Sequence, residues 1–163
     1  MADVQEVADL DLERYLGLWF EVGRLPLRFE DDGATDVTAE YSLNDDGTVR
    51  VDNRCLDANG DPTQALGEAK INTEHPARLE VSFLPAGLRW IPFSRADYCV
   101  LKIDEGYHHA LVGTPDRDHL WLLSREPRID PETETAFLAE ATRQGFDLAR
   151  WIRAAQSGQR VEI

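Results

Sequence analysis

The chain has 163 residues and a mass of 18.4 kDa, enough for one domain and one core. A hydrophobic fraction of 42% and a charged fraction of 29% place it among globular chains and exclude intrinsic disorder. Lys and Arg number 17 against 31 Asp and Glu, and the resulting net charge of −14 is spread along the chain, which argues against nucleic-acid binding and electrostatic membrane docking.

In chain order, the acidic segment 1–14 lacks a basic start followed by an apolar run, so it does not read as a signal peptide. No stretch approaches 18 consecutive apolar residues, the length of a membrane-spanning helix. These features predict a cytoplasmic protein without strong membrane association. The alternative is a periplasmic or outer-membrane-associated protein whose lipoprotein signal has been trimmed. Residues 11–16 predict one helical turn feeding into Gly17. Eight strands follow, over 19–24, 37–43, 48–54, 65–71, 79–83, 98–103, 108–113 and 120–124. Turn-forming clusters of Asn, Asp, Gly and Pro separate most of them. The first connection, 25–36, is longer. Sequential strands with hairpin links predict an all-β architecture, an up-and-down antiparallel barrel or a sandwich.

One helix is expected after the last strand. Asp130 suits the N-cap, Pro131 the first helical position, and Glu132 and Glu134 the positive helix end. Phe137, Leu138 and Ala141 form its apolar face, and Gly145 suits its C-terminal end. Residues 146–152 read as a short strand or a helical turn docked on the sheet. Cys55 and Cys99 are expected to be free thiols in a chain without a secretion signal.

Several ordered motifs carry a resemblance. The run Gly17-Leu18-Trp19-Phe20-Glu21-Val22 resembles the Gly-x-Trp signature that opens the lipocalin barrel. Residues 104–113 resemble the family's second conserved stretch, and 115–125, ending at Arg125, its third. Residues 36–47 and 51–55 are similar to the bacterial lipocalin subgroup related to plant temperature-induced lipocalins and to apolipoprotein D. The resemblance covers roughly residues 10–151. It implies an eight-stranded up-and-down antiparallel β-barrel with one C-terminal α-helix packed outside. The whole chain, 1–163, is then a single domain: barrel about 17–125, helix about 131–144 and C-terminal segment 145–163.

The resemblance also implies a structural motif of Gly17, Trp19 and Arg125 at the closed end, with the Arg125 guanidinium over the Trp19 ring. Trp19 and Arg125 fix the inward parity of the first and last strands, and apolar alternation fixes the others. The expected ligand-binding lining is Ala39, Tyr41, Val51, Asn53, Gly67, Val81, Phe83, Tyr98, Val100, His109, Leu111, Trp121 and Leu123. Few carboxylates fall on this parity, so a nearly neutral cavity is expected. It suits a small hydrophobic molecule, a fatty acid or lysophospholipid, bound for transport or storage without turnover and without a cofactor. The partner is that small molecule, and the chain is a monomer or homodimer. The stretch 90–93, with Leu84 and Leu88, reads as a lid, a ligand contact, a dimer surface or a membrane-touching tip.

Two rival chemistries remain. Cys55 has inward parity, so it is a candidate pocket thiol for an isomerase-type enzyme with His109 as base. Haem or metal binding through His108 and His109 is disfavoured, because adjacent residues on a strand point to opposite faces. On the barrel reading Cys55 faces inward on the third strand and Cys99 outward on the sixth, too far apart for a disulfide.

Overall fold

The computed structural model describes residues 2–26, 33–83 and 95–163. A single turn of helix, α1 (Leu12–Tyr15), leads into β1 (Gly17–Arg24). Then follow β2 (Thr35–Leu43), β3 (Val49–Leu56), β4 (Pro62–Ile71), β5 (Arg78–Phe83), β6 (Arg95–Ile103), β7 (His109–Gly113) and β8 (Leu120–Ser124). The long helix α2 (Pro131–Arg143) and a two-residue strand, β9 (Ile152–Arg153), complete the order. Each strand from β2 to β8 pairs antiparallel with its successor, β8 pairs with β1, and β1 pairs with β2. The eight strands therefore close into a barrel, and β9 adds to β1 outside it. Closure leaves no unpaired sheet edge among the eight.

The register fixes what faces inward, because directly opposed residues share a face. Trp19 lies opposite Ala39, Ala39 opposite Asn53, and Asn53 opposite Ala65. A second inner row runs Tyr41, Val51, Gly67, Phe83. A third runs Val49, Ala69, Val81, Ala96. These side chains join Tyr98, Val100, Val112 and Leu123 in one apolar cluster. A second cluster lies on the outer face, where Phe137 and Ala141 of α2 cover Val22, Cys99, Leu101, Leu111, Leu120 and Leu122. The barrel is thus apolar on both faces beneath α2.

That second layer corrects one expectation. Leu111 belongs to the outer cluster, and Ala110 and Val112 belong to the inner one. His109 also leaves the inner face: its Nδ1 lies 2.6 Å from Asp104 Oδ2, and its ring centroid lies 6.0 Å from that of Phe137. Alternation misled here because β7 is buried on both sides, so apolar character does not distinguish its faces. The other expected strands and α1 appear within a few residues of their expected bounds. Asp130 caps α2 by accepting from the Thr133 amide. The segment 146–152 holds a turn before it joins β9. Both cysteines are buried thiols, Cys99 under α2 and Cys55 beside Ala34 and Val37. The apolar stretch 90–93, with Leu84 and Leu88, lies outside the described residues.

The closed end is built around Arg125. Its guanidinium carbon sits 3.7 Å from the Trp19 ring centroid. Its nitrogens donate to four carbonyls, those of Tyr107, Leu18, Arg14 and Tyr15. The Trp19 indole N–H donates to the Tyr15 carbonyl at 2.9 Å. Gly17 has φ of +104°, a conformation that favours glycine, and a Cβ there would sit a tight 3.3 Å from Arg125 Nη1. One side chain thereby ties α1, β1, the β6–β7 turn and β8 together.

The C-terminal segment straps the opposite edge. Asp36, at φ 53° and 4% exposed, accepts from the Ser157 amide, the Ser157 hydroxyl and the Gln159 amide group. Burial alone would raise the Asp36 pKa, but these hydrogen bonds overcome it and hold the carboxyl below the usual range. Gln156 Nε2 donates to the Glu21 and Val37 carbonyls, and Arg160 pairs with Glu40 and Asp52.

Two outcomes follow from this architecture. Arg125→Lys keeps the charge but loses the planar fork and the stacking, and is expected to cost about 2–3 kcal/mol in urea unfolding. Asp36→Ala removes three accepted hydrogen bonds at a left-handed position and is expected to cost about 2 kcal/mol, with faster hydrogen exchange at the Ser157 amide. Asp36→Asn tolerates that backbone conformation and is expected to lose less.

Candidate functional site

The inner face combines small residues on β2 and β4 with large rings elsewhere. Ala65 and Ala69 are fully buried, whereas Ala39 is only partly buried although it points inward opposite Trp19. Trp121 is likewise half-buried while packed against the inner cluster. Solvent therefore reaches the inward-facing residues at these two positions. Gly67 contributes differently: a Cβ there would come within 2.9 Å of the Phe83 ring, so the glycine makes room for Phe83 rather than for a ligand.

The rings form a wall. Tyr98 lies 5.0 Å from Trp121 and 6.4 Å from Phe83 between centroids. His119 stacks on Trp121 at 5.9 Å with planes 15° apart. Deeper, Tyr15 and Tyr41 sit 5.1 Å apart and Tyr15 meets Trp19 at 5.5 Å. Burial drives the hydroxyls of Tyr15 and Tyr98 well above their ordinary pKa and pushes Tyr41 up to about 12, so all three stay neutral. Thus Ala39, Tyr41, Val51, Asn53, Gly67, Val81, Phe83, Tyr98, Val100, Trp121 and Leu123 share the inner face, as alternation predicts, and His109 and Leu111 do not.

The inner face also carries an ion pair, Glu21 and Arg24, that the expected lining did not include. Glu21 lies opposite inward-facing Leu123 and is 5% exposed. Arg24 lies opposite Trp121 and is 2% exposed. Arg24 Nη1 donates to Glu21 Oε2 at 3.3 Å. A register shift between Glu21 and Gly23 places both on the inner face although they are three residues apart. Burial raises the Glu21 pKa to about 7, against the opposing pull of the Arg24 charge and hydrogen bond. The native state therefore binds this proton more tightly than the unfolded chain. The corresponding stabilisation is complete below about pH 4.5 and is lost as pH rises toward about 7. The signal for Glu21 was present in the sequence, since it follows Trp19 by two residues. Arg24 needed the bulge, which nothing in the sequence announces.

Cys55 is buried near the same end, its sulfur 2.9 Å from the Thr63 hydroxyl. The imidazole that a thiol-based reaction or an interior haem would draw on, His109, is engaged by Asp104 on the other side of the sheet.

Comparison with known proteins agrees with this geometry. Residues 10–156 match the lipocalin-like domain family. The chain is 44% identical over 158 residues to outer membrane lipoprotein Blc of Escherichia coli, covering 95% of this chain and 84% of the relative. It is 37% identical to temperature-induced lipocalin-1 of Arabidopsis thaliana, with the same coverage, and 34% identical to mouse apolipoprotein D, covering 94% and 80%. Among solved structures, insecticyanin of the tobacco hornworm superposes with a TM-score of 0.70 at 19% identity, covering 99% of this chain and 86% of that one. Lobster apocrustacyanin A1 gives 0.70 at 12% identity, covering 96% and 92%. The last two likenesses concern the fold alone, whereas the family match and the curated relatives show that the chain belongs to the lipocalins.

Proposed function

We propose that the barrel binds one elongated hydrophobic molecule, a fatty acid or a lysophospholipid, and carries or stores it without chemical turnover. The observation that supports this most directly is the partial exposure of inward-facing Ala39 and Trp121, beside an aromatic wall of Phe83, Tyr98 and Trp121. An acyl chain laid there gains roughly 0.8 kcal/mol per buried CH₂. The lining offers few polar groups, which suits a ligand with one polar end. Relatives named as outer membrane lipoproteins favour the cell envelope over the cytoplasm as the place where this binding is used.

Purified protein is expected to carry or accept one such molecule in native mass spectrometry and to bind a fluorescent fatty-acid probe that laurate displaces. Ala39→Leu fills the interior space where the wild-type side chain is only partly buried. It is expected to weaken probe binding by about tenfold or more, with a stability change under about 1.5 kcal/mol. Absence of any bound or displaceable hydrophobe in the wild type overturns the reading.

A further inference from the structure

The barrel wall has a seam. Among the described residues, β1 pairs with β2 only from Gly17 opposite Tyr41 to Phe20 opposite Thr38. Beyond Phe20, the C-terminal segment links the two strands. The Ala154 amide donates to the Val22 carbonyl at 3.0 Å, and the Asp36 amide donates to the Ala155 carbonyl at 2.9 Å. Gln156 spans both strands with one side chain: its Nε2 donates to the Glu21 carbonyl at 2.7 Å and to the Val37 carbonyl at 2.8 Å. The rest of the strap lies on the outside of β2 and β3, held by Asp36, by the Arg160 ion pairs and by Arg54 Nη1 donating to the Val161 carbonyl. Ala155, Ser157, Gly158 and Gln159 are nonetheless exposed.

The strap fits this seam imperfectly. Thr38 lies opposite Phe20 and Arg54 and shares their outward face, and Arg54 binds Val161, so Thr38 faces the strap. It is 1% exposed, and its hydroxyl has no hydrogen-bond partner. Oε1 of Gln156 and Nε of Arg160, both on the strap, are buried and unpartnered as well. Each such atom bears its desolvation cost while the strap is docked and regains water when the strap lifts. The hydrogen bonds that hold the strap are thus opposed by three unpaired groups in the same contact. A segment with exposed backbone and buried unpaired groups belongs to the low-stability end of a fold, where local opening is cheapest.

The seam borders the interior. Inward-facing Ala39 on β2 and Trp121 on β8 are partly exposed, and these two strands are the barrel neighbours of β1. Trp121 lies opposite Arg24 at the end of β1, and Ala39 lies two residues from Val37, where Gln156 latches. Solvent therefore reaches the inner face on either side of β1.

We propose that the C-terminal strap, residues 155–163, is the gate of a lateral slot between β1 and β2, with Gln156 as its latch, and that a hydrophobic ligand enters and leaves the barrel when the strap lifts. This rests on reading the interior as the ligand site. It adds a route: the strap sets how fast the ligand exchanges and leaves the affinity to the inner face, which the strap does not line.

The test is stopped-flow exchange of the fluorescent fatty acid cis-parinarate, with hydrogen exchange at the Asp36 and Ser157 amides as the direct readout of strap opening. Glu40 and Arg160 meet at 2.8 Å. In Glu40→Cys/Arg160→Cys a short bis-methanethiosulfonate linker ties the strap to β2, intact mass verifies the bridge, and reductant frees it. Linking is expected to slow association and dissociation of the probe by about tenfold or more, to leave the affinity within about twofold, and to be reversed by reductant. Thr38→Val keeps the shape and removes one unpaired hydroxyl. It is expected to slow hydrogen exchange at both amides and to slow probe exchange by the same factor. Probe rates that linking leaves unchanged overturn the gate, and the ligand then uses the mouth alone. If the double variant does not fold, Thr38→Val decides: slower amide exchange with unchanged probe rates overturns the gate, and unchanged amide exchange overturns the imperfect fit on which it rests. If the wild type does not bind the probe, the interior is not the ligand site and the underlying reading fails first.

Discussion

Barrel closure depends on β1, which must satisfy two neighbours along a strand of eight residues. Its first half pairs with β2, from Gly17 opposite Tyr41 to Phe20 opposite Thr38. Its second half pairs with β8, from Phe20 opposite Ser124 to Arg24 opposite Trp121. Phe20 is where both ladders meet. Backbone groups that no longer face β2 beyond this point are partly taken over by the C-terminal segment, through β9 and through Gln156. The strap is thus a consequence of closure: a barrel that hands β1 from one partner to the other needs a third element to cover the gap.

The same strand explains why an ion pair sits inside an apolar barrel. Strict alternation from Trp19 would place Glu21 inward but Arg24 outward, leaving a buried carboxylate with no cation beside it. The register shift after Glu21 inserts one residue, keeps Val22 and Gly23 on the helix-covered side, and turns Arg24 inward. A bulge therefore converts an unaffordable buried charge into a paired one.

Legibility of the sequence followed the contrast between faces. On β3, β4 and β5 one face is apolar and the other polar, so period-2 alternation located strands and facing together. On β7 the contrast vanishes, because α2 buries Leu111 from outside while Ala110 and Val112 face in. Local signals were equally readable: Asp130, Pro131 and Gly145 mark the ends of α2 through capping chemistry that needs no tertiary information. The Arg125–Trp19 clamp came from motif resemblance, since the two residues are distant in sequence and no periodicity links them. Arg24 was illegible because a bulge is a pairing property of two strands and leaves no mark on the residue it reorients. Glu21 was legible, since it shares the parity of Trp19, although little of the acidic surplus was expected on that face.

That surplus now divides into two populations with opposite physics. Asp36 and Asp52 are buried against the outside of the barrel, where hydrogen bonds from Ser157 and Gln159, or from Arg54 and Gln64, overcome burial and keep each carboxyl below its usual pKa. They strengthen the fold above about pH 4 and release it in acid. Glu21 is raised instead, and works in the other direction across the neutral range. The outer charge of the chain acts on an approaching anion only over about a Debye length, roughly 10 Å, and salt weakens it. Inside, Arg24 acts at contact distance with little solvent to screen it. Net charge is therefore a property of the outer surface, while the protonation of Glu21 is set by its own burial and by Arg24 at contact distance.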